Sequence, residues 1–103
     1  MKRKSTDFEQ KLLGSGWKLI YKTYRGKNSQ FVWTYVYSKY YCGYLFKIAL
    51  DKKREKTLNI YIENAKNEYI DLAQLQDIVL RYNEICDEVH LLEFGTPYED
   101  KVE

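Results

Sequence analysis

An α+β fold is what this 103-residue sequence predicts: a short N-terminal helix, a four-stranded antiparallel meander, and a long C-terminal helix packed on the aromatic face of the sheet. Three observations predict it. Four consecutive segments alternate apolar and polar residues with a period of two. A stretch after residue 71 repeats its apolar residues at three and four. Residues 31–46, FVWTYVYSKYYCGYLF, hold eight aromatic side chains and no carboxylate. An aromatic run of that density needs a cover, and the long amphipathic helix can supply it.

The elements follow in order. Thr6 and Glu9 form a capping box, Phe8, Leu12 and Leu13 share one side of the next turns, and Gly14-Ser15-Gly16 supplies the exit, so a helix spans 7–13. The strand segments are separated by RGKNS (25–29), KYYC (39–42) and DKKREK (51–56). Their inward sets are Trp17, Leu19 and Tyr21; Phe31, Trp33, Tyr35 and Tyr37; Tyr44, Phe46, Ile48 and Leu50; and Leu58, Ile60 and Ile62. Those sets share one face if Tyr21 lies opposite Trp33, Tyr35 opposite Phe46 and Ile48 opposite Ile60. Tyr40 and Tyr41, at the turn, stay exposed.

The other face is mixed and basic on its N-terminal side, with Lys18, Ile20, Lys22 and Tyr24 on the first strand and Lys47, Tyr61 and Glu63 further on. Either the N-terminal helix folds over Ile20, Val32 and Leu45, or this face is open for binding. Asp71 caps the long helix, Gln74 completes a capping box and Ile70 staples onto Leu75. Leu72, Leu75, Ile78, Val79, Tyr82, Ile85, Cys86, Val89 and Leu92 make its apolar stripe, and Gly95 followed by Pro97 ends it.

Length and composition predict one domain over residues 1–103, with 1–5 and 96–103 as flexible tails. Apolar content of 45% with 31% charged residues excludes disorder, and no apolar run is long enough to span a membrane. The opening MKRKSTDFEQ lacks the apolar stretch of a secretory signal, which predicts a cytoplasmic protein. Cys42 and Cys86 are too few and too far apart for a disulfide framework and read as reduced thiols. Abundant Lys, Asn, Ile and Tyr beside three Ala and one Pro are the bias of AT-rich codons, pointing to a low-GC bacterium or its phage or mobile element.

Charge is the strongest functional clue. Residues 1–57 carry fourteen Lys/Arg against four Asp/Glu, whereas residues 58–103 carry three against eleven. The net charge of +2 therefore hides a basic half and an acidic half, a pattern of complementary surfaces. Chemistry is harder to find. Gly14-Ser15-Gly16 follows a helix and precedes a strand, the reverse of a nucleophile elbow. The single histidine leaves nucleophilic catalysis without its usual base, and Cys86 with His90 offers only two metal ligands.

No enzyme, cofactor or metal is therefore expected. The sequence predicts a small non-enzymatic binding protein acting through protein contacts, as an inhibitor or accessory factor of a nucleic-acid-handling complex. Direct nucleic-acid binding by the same basic surface is the alternative. The binding residues expected are Lys18, Lys22, Tyr24, Arg25, Lys27, Lys52, Lys53, Arg54 and Lys56, with a secondary acidic surface of Glu84, Asp87, Glu88 and Glu93 on the long helix. Residues 72, 75, 79, 82, 86 and 89 also fit a heptad, so the chain is expected as a monomer or weak homodimer.

Overall fold

The computed structural model describes residues 7–29, 31–63 and 71–95. Helix α1 (Asp7–Gly14) leads into strands β1 (Lys18–Arg25), β2 (Phe31–Tyr41), β3 (Tyr44–Leu50) and β4 (Thr57–Ile62), followed by helix α2 (Leu72–Phe94). The four strands form one antiparallel sheet in chain order. This is the α+β meander that the sequence predicts.

The boundaries of α2 are locally encoded. Asp71 Oδ1 accepts from the Gln74 N–H at 2.8 Å, and Gly95 takes the left-handed conformation (φ 79°) with its N–H donating to the Leu91 carbonyl. The expected partners Thr6, Ile70 and Pro97, and both expected tails, lie outside the described residues. Glu9, the expected capping partner of Thr6, is buried, with its carboxylate accepting from the Tyr37 hydroxyl. Both helices cover the same face of the sheet, so α1 does not fold over Ile20, Val32 and Leu45. Phe8 and Leu12 from α1 join Trp17, Tyr37, Phe46, Ile48, Leu50, Ile85 and Val89 in one buried cluster.

Only the C-terminal half of the α2 stripe is used in this way. Ile85 and Val89 are buried, while Leu72, Leu75 and Val79 remain exposed.

The β2–β3 connection is tighter than the sequence suggests. Strand β2 continues through Tyr41, and Cys42 and Gly43, both at positive φ (52° and 89°), make a two-residue turn. Tyr35 therefore pairs with Leu50 rather than Phe46. The displacement is an even number of residues, so the faces are preserved. Tyr41 is half-buried against the core rather than exposed. The pairing of Ile48 with Ile60 is as expected.

Three single-residue bulges alter the rest. Leu19 pairs with Tyr37 and Tyr21 with Val36, leaving Ile20 as an extra residue in β1. Thr23 pairs with Thr34 and Tyr24 with Val32, leaving Trp33 extra in β2. Ala49 pairs with Asn59 and Leu50 with Thr57, leaving Leu58 extra in β4. An inserted residue shifts the in-out alternation by one. Ile20, Trp33 and Leu58 are accordingly 42%, 45% and 53% exposed, and Tyr21, expected inward opposite Trp33, lies on the other face.

Candidate binding surface

In an antiparallel meander the first and third connections fall at the same end of the sheet. The β1–β2 connection, with Gly26 (φ 98°) and Asn28 (φ 64°), therefore sits beside the β3–β4 turn. That turn is built by Asp51, whose carboxylate accepts from the N–H groups of Glu55 at 2.8 Å and Lys56 at 3.1 Å. A groove of about 410 Å³ lies here, lined by Trp33, Leu58, Asp51, Lys52, Lys53, Glu55 and Lys56. Its apolar wall consists of two of the three bulged residues. The Arg25 guanidinium stacks on Trp33 at 4.6 Å from the ring centroid, and Tyr24 in β1 and Phe31 at the start of β2 are exposed on either side of the connection.

Of the expected binding residues, Tyr24, Arg25, Lys27, Lys52, Lys53 and Lys56 come together at this end. All six are exposed. Lys18 starts β1, at the far end of the strand, about 23 Å from Arg25 at the usual strand rise. Lys22 lies over the Tyr35 ring, 5.5 Å from its centroid. Arg54 is engaged within the fold, since its Nη1 lies 3.3 Å from Glu9 Oε1 and its guanidinium stacks on Tyr35 at 5.0 Å. Glu9 is only 4% exposed and also accepts a hydrogen bond from the Tyr37 hydroxyl. Burial, reinforced by that carboxylate, pushes the Tyr37 phenol far above its ordinary range.

The acidic residues of α2 mostly face inward to polar partners. Glu84 accepts from the Tyr41 hydroxyl at 2.7 Å and from Arg81 Nη1 at 3.1 Å. Glu88 pairs with Lys39 at 3.0 Å, and Glu93 accepts from the Thr57 N–H at 3.4 Å. Asp77, opposite Tyr44, adds a fourth clasp at 2.8 Å. These groups fasten the helix to the sheet, and of the four predicted acidic residues Asp87 is exposed while Glu84, Glu88 and Glu93 are half-buried. The Tyr41 hydrogen bond and Arg81 hold the Glu84 carboxyl below the usual carboxylate range, while Glu84 pushes the Tyr41 phenol up to about 12.

Two other regions offer chemistry. Between β4 and α2 a groove of about 660 Å³ is lined by Thr57, Ile60, Cys86, His90, Glu93 and Phe94, among others. Its thiol is pushed up by burial, so Cys86 stays protonated, and the His90 ring packs on Phe94 at 4.6 Å. Among the described residues no three His, Cys, Asp or Glu side chains converge as metal ligands. On the sheet face away from the helices, Lys47 pairs with Glu63 and lies 5.8 Å from the Tyr21 ring centroid. The Tyr21 and Tyr61 hydroxyls meet there at 3.5 Å. This face is thus partly self-satisfied.

Among the described residues no helix is long and apolar enough to cross a membrane. The chain matches no family model, no curated protein and no solved structure. Sequence patterning places Phe31, Trp33 and Leu58 in the interior, whereas the structure exposes all three. The bulges that bring Trp33 and Leu58 to the groove carry no glycine or turn residue to announce them.

Proposed function

We propose that the protein is a non-enzymatic binding module that captures an acidic protein partner at its hairpin end. The observation that carries this reading is the groove in which Trp33 and Leu58 form the apolar wall and Lys52, Lys53 and Lys56 the rim. Exposed Trp, Tyr and Arg side chains are the residue types that anchor protein interfaces. A charged rim steers a partner of opposite sign and sets orientation. Through such a contact the protein would act as an inhibitor or accessory factor, in the cytoplasm of a low-GC bacterium or as a product of its phage.

Direct binding of single-stranded nucleic acid is the second reading, favoured by exposed aromatics beside lysines. The mixed charge of the groove weighs against it: Asp51 and Glu55 sit among the lysines, and a backbone with a charge at every nucleotide must pass them, whereas a protein segment can place its few carboxylates against the lysines alone. The test is affinity capture from host lysate with the wild type, Trp33→Ala, and an Arg25→Glu/Lys53→Glu double variant. Alongside it runs a salt titration with single-stranded DNA and RNA. The protein reading expects a captured protein that both variants lose while remaining folded, with melting temperatures lowered by no more than several degrees. Tight oligonucleotide binding that falls steeply with salt would replace it with the second reading.

A further inference from the structure

The two free edges of the sheet are built differently. On the β4 edge, α2 supplies partners to the outward backbone: the Tyr82 hydroxyl donates to the Ile60 carbonyl at 2.9 Å, and Glu93 accepts from the Thr57 N–H. Side chains that occupy edge groups block the addition of another strand. The β1 edge has no such cover among the described residues, since seven of its eight residues are exposed.

The register shows which β1 groups point outward. Tyr41 and Tyr44 flank a two-residue turn, so they form a hydrogen-bonded pair, and Lys39, Tyr37 and Tyr35 likewise direct their backbone groups toward β3. Their β1 partners, Leu19 opposite Tyr37 and Lys22 opposite Tyr35, therefore turn their N–H and C=O groups away from the sheet. From Tyr21 to Arg25 β1 has no inserted residue of its own, so the edge beyond the Ile20 bulge is a regular template.

Charge names the occupant. Strand β1, KLIYKTYR, carries Lys18, Lys22 and Arg25 and no carboxylate. A second copy would set like charges against each other, which discourages self-pairing. We infer that the β1 edge receives an acidic, extended segment of the partner protein, which adds antiparallel or parallel to β1 as a fifth strand. This rests on the protein-binding reading above and supplies its mode: main-chain hydrogen bonds along β1 give affinity, and Lys18, Lys22 and Arg25 select for acidic side chains.

The test uses the full chain and a fluorescein-labelled nine-residue Glu/Val peptide of repeating Glu-Glu-Val, which presents Glu on both faces because the Ile20 bulge sets Lys18 and Lys22 on opposite faces of β1, with a Lys/Val peptide of the same pattern as control. Fluorescence anisotropy should show binding of the Glu/Val peptide only. Amide exchange of Leu19 and Lys22 should slow when that peptide is added. Lys22→Pro removes one outward N–H and no bond within the sheet, and should weaken binding at least tenfold. Should that variant fold poorly, Lys18→Glu/Lys22→Glu keeps the backbone and should reverse the preference toward the Lys/Val peptide.

Four results would overturn the inference: peptide binding with no slowing at Leu19 and Lys22, full binding by a folded Lys22→Pro, equal binding of both peptides, or concentration-dependent self-association that protects those amides without peptide. If any of these is found while Trp33→Ala still abolishes partner capture, the edge is refuted and the groove stands. If capture itself fails while the peptide binds as described, the groove reading alone is lost.

Discussion

Both halves of strand β2 are rich in aromatic side chains, yet they meet opposite fates. Tyr37 is buried beneath the helices and Tyr41 is packed against the core with its hydroxyl clasped by Glu84, whereas Phe31 and Trp33 face solvent. The difference is not hydrophobicity. Beyond Tyr35 the helices no longer cover the sheet, and the Trp33 bulge has shifted the alternation there. One half of the aromatic strand therefore makes a core and the other is left as surface. An aromatic residue in this chain is structural where α1 and α2 reach it, and available for binding where they do not.

That contrast is broken or sharpened first by truncation in the covered half. Phe46 is fully buried in the central cluster, so Phe46→Ala should cost about 3–5 kcal/mol in urea unfolding, enough to threaten folding at this size. Next comes the buried carboxylate. Glu9→Ala leaves both the Tyr37 hydroxyl and the Arg54 guanidinium without that partner, and should cost about 2–3 kcal/mol. A smaller cost for Glu9→Ala than for its exposed neighbour Gln10→Ala would mean that the Glu9 cluster does not fasten α1 to the sheet.

What can be read from the sequence follows from how local each signal is. Asp71, Gln74 and Gly95 announce the ends of α2 because capping involves residues three or four apart. The aromatic sets of β2 and β3 are legible because an even error in register leaves the faces unchanged, even though the turn falls at Cys42-Gly43 rather than across 39–42. Cys42 in a left-handed conformation is not a residue type that marks such a turn. The bulges at Ile20, Trp33 and Leu58 leave no local mark; two of them, at Trp33 and Leu58, carry an apolar residue from the expected core to the surface. The candidate site is legible in its lysines and Arg25, which depend only on connection geometry. Its apolar wall is not. Arg54 escapes sequence reasoning for a different reason: its partner Glu9 is distant along the chain.

Smaller effects come from the clasp between Tyr41 and Glu84, and they depend on pH. The folded Tyr41 pKa of about 12 lies above its ordinary value of 10.0. Folding thus binds this proton more tightly, and the associated stability is complete below pH 10 and disappears as pH rises toward 12. Glu84 works the other way: its folded pKa is lowered, so its contribution is present above the ordinary carboxylate pKa and is lost as pH falls below it. Tyr41→Phe should flatten the alkaline decline in melting temperature and, by removing the leading cause of the Glu84 shift, part of the acid decline as well. An unchanged profile at both limbs would show that the clasp adds nothing to folding.

The smallest stability effect is expected where binding should suffer most. Trp33 lies outside the buried cluster, and its described neighbours are Arg25 on its ring and the groove it shares with Leu58. Trp33→Ala forfeits a surface cation–π contact and some partial burial, so urea unfolding should shift by under about 1 kcal/mol. The same substitution should remove the apolar anchor of the groove and abolish partner capture. A loss of stability approaching that of Phe46→Ala would mean that Trp33 belongs to the core after all, and the division of β2 into a structural and a binding half would fail. Full stability with full capture would leave the outer half of β2 as surface without a binding role and move the binding surface away from the groove, toward the β1 edge, where Lys22→Pro is the more sensitive probe.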